Sequence, residues 1–383
     1  MKEFDLATEN SLVEEIKKLV VKNEYVSEIE TNGPGLIFYK ERGQRKSMKS
    51  PFRTDEEYDR AIDDLIEKAG FIKRPYLVEG RFNITDNRFG RLHIVLPPAS
   101  PYPLMTLAIK TQTLTSLTAI QAQGSFDTEI SKFLKAAVGS NLTVAISGGT
   151  GAGKSTLLEA MTSVFNKEDR IGVCEDTPEL QLDSPNTVYL NSTVWIPGMS
   201  NAEVADLSWI VKQINRMRVD KIIIGETRGK EFFDFITAAN SGAEGSMTTI
   251  HANDAYAAMS KMATFMYMAV DMSPRIINEM ISSAVDIVIQ LGRTDKGEHK
   301  IKSIHEVTNA ISAGESPTIA LNPLFEYDEP SNKWKRKYAT DPLKKKLEAR
   351  GYNPNSYDIK ESEKSLANDD FGGLPSYFNK EEM

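Results

Sequence analysis

Eight residues, Gly148-Gly-Thr-Gly-Ala-Gly-Lys-Ser155, constrain this chain more than any other stretch. They fit the pattern G-x-x-x-x-G-K-[ST], follow an apolar run at 142–146 and precede a helix-like segment at 155–161. A strand, a glycine-rich turn and a helix in that order make a cradle for phosphate. The glycines let successive backbone N–H groups turn inward, and the helix N-terminus adds its positive dipole end. Gly148, Gly149, Thr150, Gly151, Ala152, Gly153, Lys154, Ser155 and Thr156 are the expected nucleotide contacts. Lys154 is placed to reach the β and γ phosphates of ATP, and the Ser155 hydroxyl to ligate Mg²⁺, which keeps several waters.

A loop of this kind needs a parallel sheet to hold it, and the surrounding texture supplies one. Largely apolar runs at 142–146, 171–173, 222–224, 247–250 and 285–289 alternate with helical segments, as suits strands buried on both faces. The first hundred residues read differently. A capping box at Ser11 and Glu14 opens an amphipathic helix with Leu12, Ile16, Leu19 and Val20 on one face, and Thr54 with Glu57 opens a second. That helix carries Tyr58, Ile62, Leu65 and Ile66, and Gly70 is placed to end it. Short β-rich runs at 36–39 and 92–96 complete an α+β domain. The expected organisation is an α+β domain at 1–110, a linker at 111–125 with a helical turn, and an α/β domain at 126–310. A C-terminal extension at 311–356 and a disordered tail at 357–383 follow, the tail on its low hydrophobicity and dense charge.

With 40% hydrophobic and 26% charged residues, the 383-residue chain has globular composition. Its longest apolar stretches, at 222–224 and 262–270, fall short of the roughly 18 residues that span a bilayer. The acidic N-terminal segment is not a secretory signal, so a cytoplasmic protein is expected. One cysteine, Cys174, excludes an internal disulfide and any multi-cysteine zinc module, and reads as a small core residue. A net charge of −8 offers no whole-chain attraction to nucleic acid or anionic lipid.

Three of the apolar runs end in residues that carry chemistry. Strands of a parallel sheet release their C-terminal ends at one edge, so these residues are expected beside the loop. The run 171–179 ends in Glu175-Asp176-Thr177-Pro178-Glu179. Glu175 is the expected water-activating base and Asp176 a supporting residue near the metal; the plainer reading is an acidic turn before Pro178. The run 221–226 ends in Gly225-Glu226, where Glu226 binds a metal-coordinated water or orients the attacking one. Arg228 pairs with either acid or contacts phosphate. His251 closes the run 245–251, and is read either as structural or as an imidazole that senses the γ-phosphate near neutral pH.

In order, GGTGAGKS, RIGVCEDTPEL, RMRVDKIIIGETRG and GSMTTIHAND resemble the Walker A, Asp box, Walker B and His box of the secretion ATPase superfamily. The texture is most similar to Tad-pilus and conjugation ATPases. The resemblance implies a RecA-like P-loop domain with a mostly parallel sheet, preceded by the α+β domain, in a ring-shaped homo-hexamer. In relatives the N-terminal domain donates arginines to the nucleotide, and the segment 90–98 resembles the strand that carries one, at Arg91. A second family arginine falls on Lys110, which keeps the charge without the planar fork. Gly225 stands where ordinary Walker B elements have Asp, and Ala243 where many relatives have histidine.

These features imply an ATP hydrolase that powers secretion, pilus assembly or conjugation with Mg²⁺ as cofactor. Its partners would be copies of itself and the inner-membrane platform of the machine, which would also hold it peripherally at the cytoplasmic face. No direct nucleic-acid contact is expected. A nucleic-acid-translocating P-loop ATPase is the competing reading, distinguished by DNA-stimulated hydrolysis, and a nucleotide switch without turnover is a third.

Overall fold

The computed structural model describes residues 11–21, 23, 25–71, 76–85, 88–111, 116–192, 205–310 and 318–360. The N-terminal domain contains α1 (Ser11–Val21), β1 (Val26–Thr31), β2 (Leu36–Glu41), β3 (Gln44–Lys49), α2 (Asp55–Lys68), β4 (Leu77–Thr85), β5 (Arg88–Val95) and β6 (Leu104–Thr111). Its sheet runs β3-β2-β1-β6-β5-β4, antiparallel throughout. Leu12, Ile16 and Val20 of α1 and Tyr58, Ile62, Leu65 and Ile66 of α2 are buried against this sheet. Helix α2 begins where its box predicts. The Thr54 hydroxyl accepts from the Glu57 amide at 3.2 Å, and the Glu57 carboxylate accepts from the Arg53 amide at 2.7 Å.

The second domain is built on nine strands: β7 (Val144–Gly148), β8 (Ile171–Glu175), β9 (Thr187–Asn191), β10 (Lys221–Thr227), β11 (Met247–Ile250), β12 (Ile287–Arg293), β13 (His299–Ala310), β14 (Thr318–Asp328) and β15 (Lys333–Arg336). Their order is β15-β14-β13-β12-β7-β11-β10-β8-β9. From β12 to β9 neighbours are parallel, while β13, β14 and β15 continue the sheet antiparallel. The parallel strands are buried on both faces. Val144, Ile146, Ile171, Val173, Ile223, Ile287 and Ile289 enter one core, and Ala145, Cys174, Ile222, Ile224 and Val288 the other. The first core is covered by α3 (Leu117–Ala122), α4 (Thr128–Gly139), α5 (Lys154–Thr162) and α10 (Asp341–Ala349). The second lies under α6 (Leu207–Arg216), α7 (Glu231–Ala239), α8 (Ala255–Ala269) and α9 (Pro274–Ala284). No helix among the described residues is long and apolar enough to cross a membrane.

The domain boundaries differ from expectation in three places. Residues 116–125 are not a free linker: Ser116 caps α3, and Leu117 and Ile120 are buried in the first core. The segment at 311–356 is not an appendage, since β14 and β15 complete the sheet and Leu343 and Leu347 of α10 are buried against it. Tyr357, expected to begin the tail, is buried with its ring 5.0 Å from that of Phe133. In each case sparse apolar residues in a polar stretch mark the contact, and a compositional average dilutes them. Residues 361–383 of the expected tail lie outside the described residues.

Candidate active site

At the end of β7 the chain leaves the sheet through Gly149 and enters α5 at Lys154. Gly151 and Gly153 have φ of +68° and +93°, a region costly for any residue with a Cβ. Helix α5 is capped by Gly153 with no side-chain bond, so its first N–H groups face the cleft as donors for an anion. Lys154 is buried, with Nζ 3.0 Å from both the Gly148 and Gly149 carbonyl oxygens and 3.2 Å from His251 Nδ1. An ammonium only donates, so Nδ1 accepts and the imidazole proton sits on Nε2, 3.2 Å from Glu226 Oε1. Glu226 in turn receives both arms of Arg228, Nε and Nη2 each at 2.8 Å.

Lys154, His251, Glu226 and Arg228 thus form one chain across three strand ends. Burial tends to raise the Glu226 carboxyl, but Arg228, His251 and Lys154 together hold it below the usual carboxylate range. His251 is pulled down by burial, with Lys154 and Arg228 adding, although Glu226 acts the other way. Its place is that of a bridge between the loop lysine and an acid.

Glu175 ends β8 almost fully buried, its Oε1 accepting from the Glu179 and Leu180 amides at 3.0 Å each. Burial pushes its carboxyl up to about 8, opposed by the two amides and assisted by the Glu179 and Glu159 carboxylates. Asp176 is exposed and accepts from Ser192 Oγ at 2.8 Å. Ser155, Glu175, Asp176 and Glu226 line one small cavity, together with Arg91 from the N-terminal domain. All four offer oxygen, the donor that Mg²⁺ takes. No cluster of three His, Cys, Asp or Glu among the described residues is arranged to hold a metal ion. The oxygen donors alone fit a hard cation such as Mg²⁺.

The wider cleft, about 650 Å³, is bounded by the loop, Arg91, Glu226, Arg228 and His251. Arg91 pairs with the Glu179 carboxylate and lies 3.4 Å from Thr177 Oγ1. The structure therefore brings the loop, Glu175, Asp176, Glu226, Arg228, His251 and Arg91 together at one cleft. It adds residues that sequence reasoning missed. Arg293 Nη2 donates to the Gly151 carbonyl at 2.9 Å, and His299 Nδ1 lies 3.0 Å from the Ala152 carbonyl. Behind the loop an apolar pocket is lined by Ile120, Phe126, Leu157, Leu291 and Ile301. No local pattern marks Arg293 and His299, because they meet the loop from strands β12 and β13, far along the chain. The Lys110 side chain lies outside what the structure describes.

Residues 9–317 match the family described as Type II/IV secretion system protein. The chain belongs to this family. Two relatives within secretion and conjugation systems are similar to it in sequence. Conjugal transfer protein TrbB of Rhizobium radiobacter is 29% identical over 236 residues, covering 61% of this chain and 68% of that protein. Type IV secretion system protein VirB11 of Bartonella henselae is 34% identical over 176 residues, covering 45% of this chain and 48% of that protein. Among solved structures, the Legionella pneumophila ATPase DotB matches with a TM-score of 0.53 at 16% identity, over 85% of this chain and 83% of that one. The pilus retraction motor PilT, solved with bound ADP, matches at 0.50 and 14%, over 83% and 84%. At these identities the structural likeness is one of fold: an α/β P-loop domain preceded by a smaller α+β domain, as the family resemblance implies.

Proposed function

We propose that this secretion-family protein hydrolyses ATP to drive a secretion, conjugation or pilus machine. The observation that carries the reading is the convergence of the Lys154 loop, Glu175, Glu226 and His251 at one sheet edge, with Arg91 entering the same cleft from the other domain. The β and γ phosphates lie on the loop amides and the start of α5, and Lys154 turns from the Gly148 and Gly149 carbonyls toward them. The apolar pocket behind the loop takes the base. Ser155, Glu226 and Asp176 would hold Mg²⁺, which would supply positive charge to the phosphate oxygens.

Glu175 accepts a proton from water as the water oxygen attacks the γ-phosphorus and the bond to the bridging oxygen breaks, leaving ADP and phosphate. A base needs an affinity for protons near the working pH, and burial of Glu175 supplies it. Arg91 neutralises the charge that develops on the γ-phosphate and so ties turnover to the position of the N-terminal domain. Work on a partner then follows from rocking of one domain against the other. The proposed assembly is a homo-hexamer at the cytoplasmic face of an inner membrane, attached through platform proteins. Relatives named for conjugal transfer and type IV secretion support that setting.

Steady-state phosphate release by the purified protein, with and without Mg²⁺, tests the reading, and its mass in solution tests the ring. Nucleotide binding without turnover would leave a switch in place of a motor. Strong stimulation by DNA would make nucleic acid the translocated partner.

A further inference from the structure

Arg81 on β4 and Arg91 on β5 are directly opposed in the N-terminal sheet. Like charges opposed across strands repel, so such a pair calls for an anion. Glu179 supplies it, and all three of its polar groups are engaged. Its carboxylate pairs with Arg91, its carbonyl accepts from Arg81 Nη1 at 2.8 Å, and its amide donates to Glu175 Oε1 at 3.0 Å. Arg81 Nη2 also donates to Gln181 Oε1 at 3.0 Å, fixing the segment beyond. Both Arg91 and Glu179 line the cleft assigned to nucleotide.

We propose that Glu179 is the resting counter-ion of Arg91, a positioning residue that holds this guanidinium until the γ-phosphate of ATP takes it in exchange. The inference rests on the hydrolase reading above. One cation cannot serve two anions fully, so the pair with Glu179 is a cost that ATP must meet on binding. ADP, which lacks the γ-phosphate, has no claim on Arg91 and does not break the pair. Glu179 thereby sets how strongly the site prefers ATP. Because its amide also holds Glu175, the exchange occurs on the peptide unit that orients the base.

The test is binding of AMP-PNP and of ADP, each with Mg²⁺, to the full chain and to Glu179→Gln by titration calorimetry. Removal of a partly exposed ion pair should tighten AMP-PNP by about two- to fivefold and leave ADP unchanged. In an Arg91→Ala background the same substitution should shift neither nucleotide. A purely structural role would move both nucleotides together, and that result, or no shift at all, overturns the proposal. Where Glu179→Gln does not fold, Glu179→Asp keeps the charge and shortens its reach, and must still shift AMP-PNP alone. Wild-type protein that binds neither nucleotide would overturn the hydrolase reading itself, and this inference with it.

Discussion

Gly225 lies directly against the buried side chain of Glu175: a Cβ at position 225 would come 2.9 Å from Glu175 Cγ and 3.0 Å from its Oε1. The two residues sit on the paired strands β8 and β10, where Cys174 is in register with Ile224. This contact accounts for glycine at the position where ordinary Walker B elements have Asp. The acid of the next strand occupies the space. Gly225→Ala should therefore displace the Glu175 carboxylate from its two amides while sparing the fold. We expect turnover to fall about 10- to 100-fold, the cost of misplacing a reacting group by about an ångström, with nucleotide affinity retained. Phosphate release measured beside nucleotide binding checks this, and an unchanged rate would remove Glu175 from the reacting position.

Lys154→Ala should abolish hydrolysis in a protein that still folds. The side chain bonds to two loop carbonyls and an imidazole at the phosphate site, so its loss removes charge from that site. Circular dichroism and turnover, measured together, separate the two effects. Persistent turnover would contradict the loop's assigned role.

Glu175→Gln should slow hydrolysis by about 10²- to 10⁴-fold while ATP still binds, because an amide oxygen can accept from the Glu179 and Leu180 amides but cannot take a proton. A stability effect accompanies it. The folded carboxyl is raised from 4.5 to about 8, so the folded state binds its proton more tightly than the unfolded chain does. The stability contributed by that proton is present below about pH 4.5 and is lost as pH rises through about 8. Glu175→Gln should thus melt higher than wild type at pH 8, by a margin that shrinks toward pH 5. Melting curves at the two pH values decide it, and a margin independent of pH would show that the carboxyl is ionised in the fold.

Arg91→Ala should lower turnover at least about tenfold with the mass in solution unchanged, since the group acts on the γ-phosphate and is carried by a different sheet from the one that holds the loop. The plainer role for Arg91, solvating the edge of β5, predicts no change. Turnover at saturating ATP distinguishes the two.

The sequence by itself determined the phosphate loop, the parallel sheet around it and the acids at the strand ends. These are local signals: a glycine spacing, apolar runs of strand length and the change from apolar to charged residues where a strand leaves the core. It also determined the two amphipathic helices of the N-terminal domain, through caps and a helical period. Only the tertiary structure decided that Glu175 is the buried acid and Glu226 the one paired with Arg228, because burial depends on which strand lies beside which. It decided too that β14 and β15 close the sheet, that Arg293 and His299 brace the loop, and that Arg81 and Arg91 meet at Glu179. Two of these contacts join residues far apart in the chain, 88 positions for Arg91 and Glu179 and 147 for Ala152 and His299. Pairing of β7, β12 and β13 brings His299 to the loop through backbone hydrogen bonds that any side chain can accompany, and Arg91 reaches Glu179 from a separate sheet, so the local pattern at either end bears no mark of its partner.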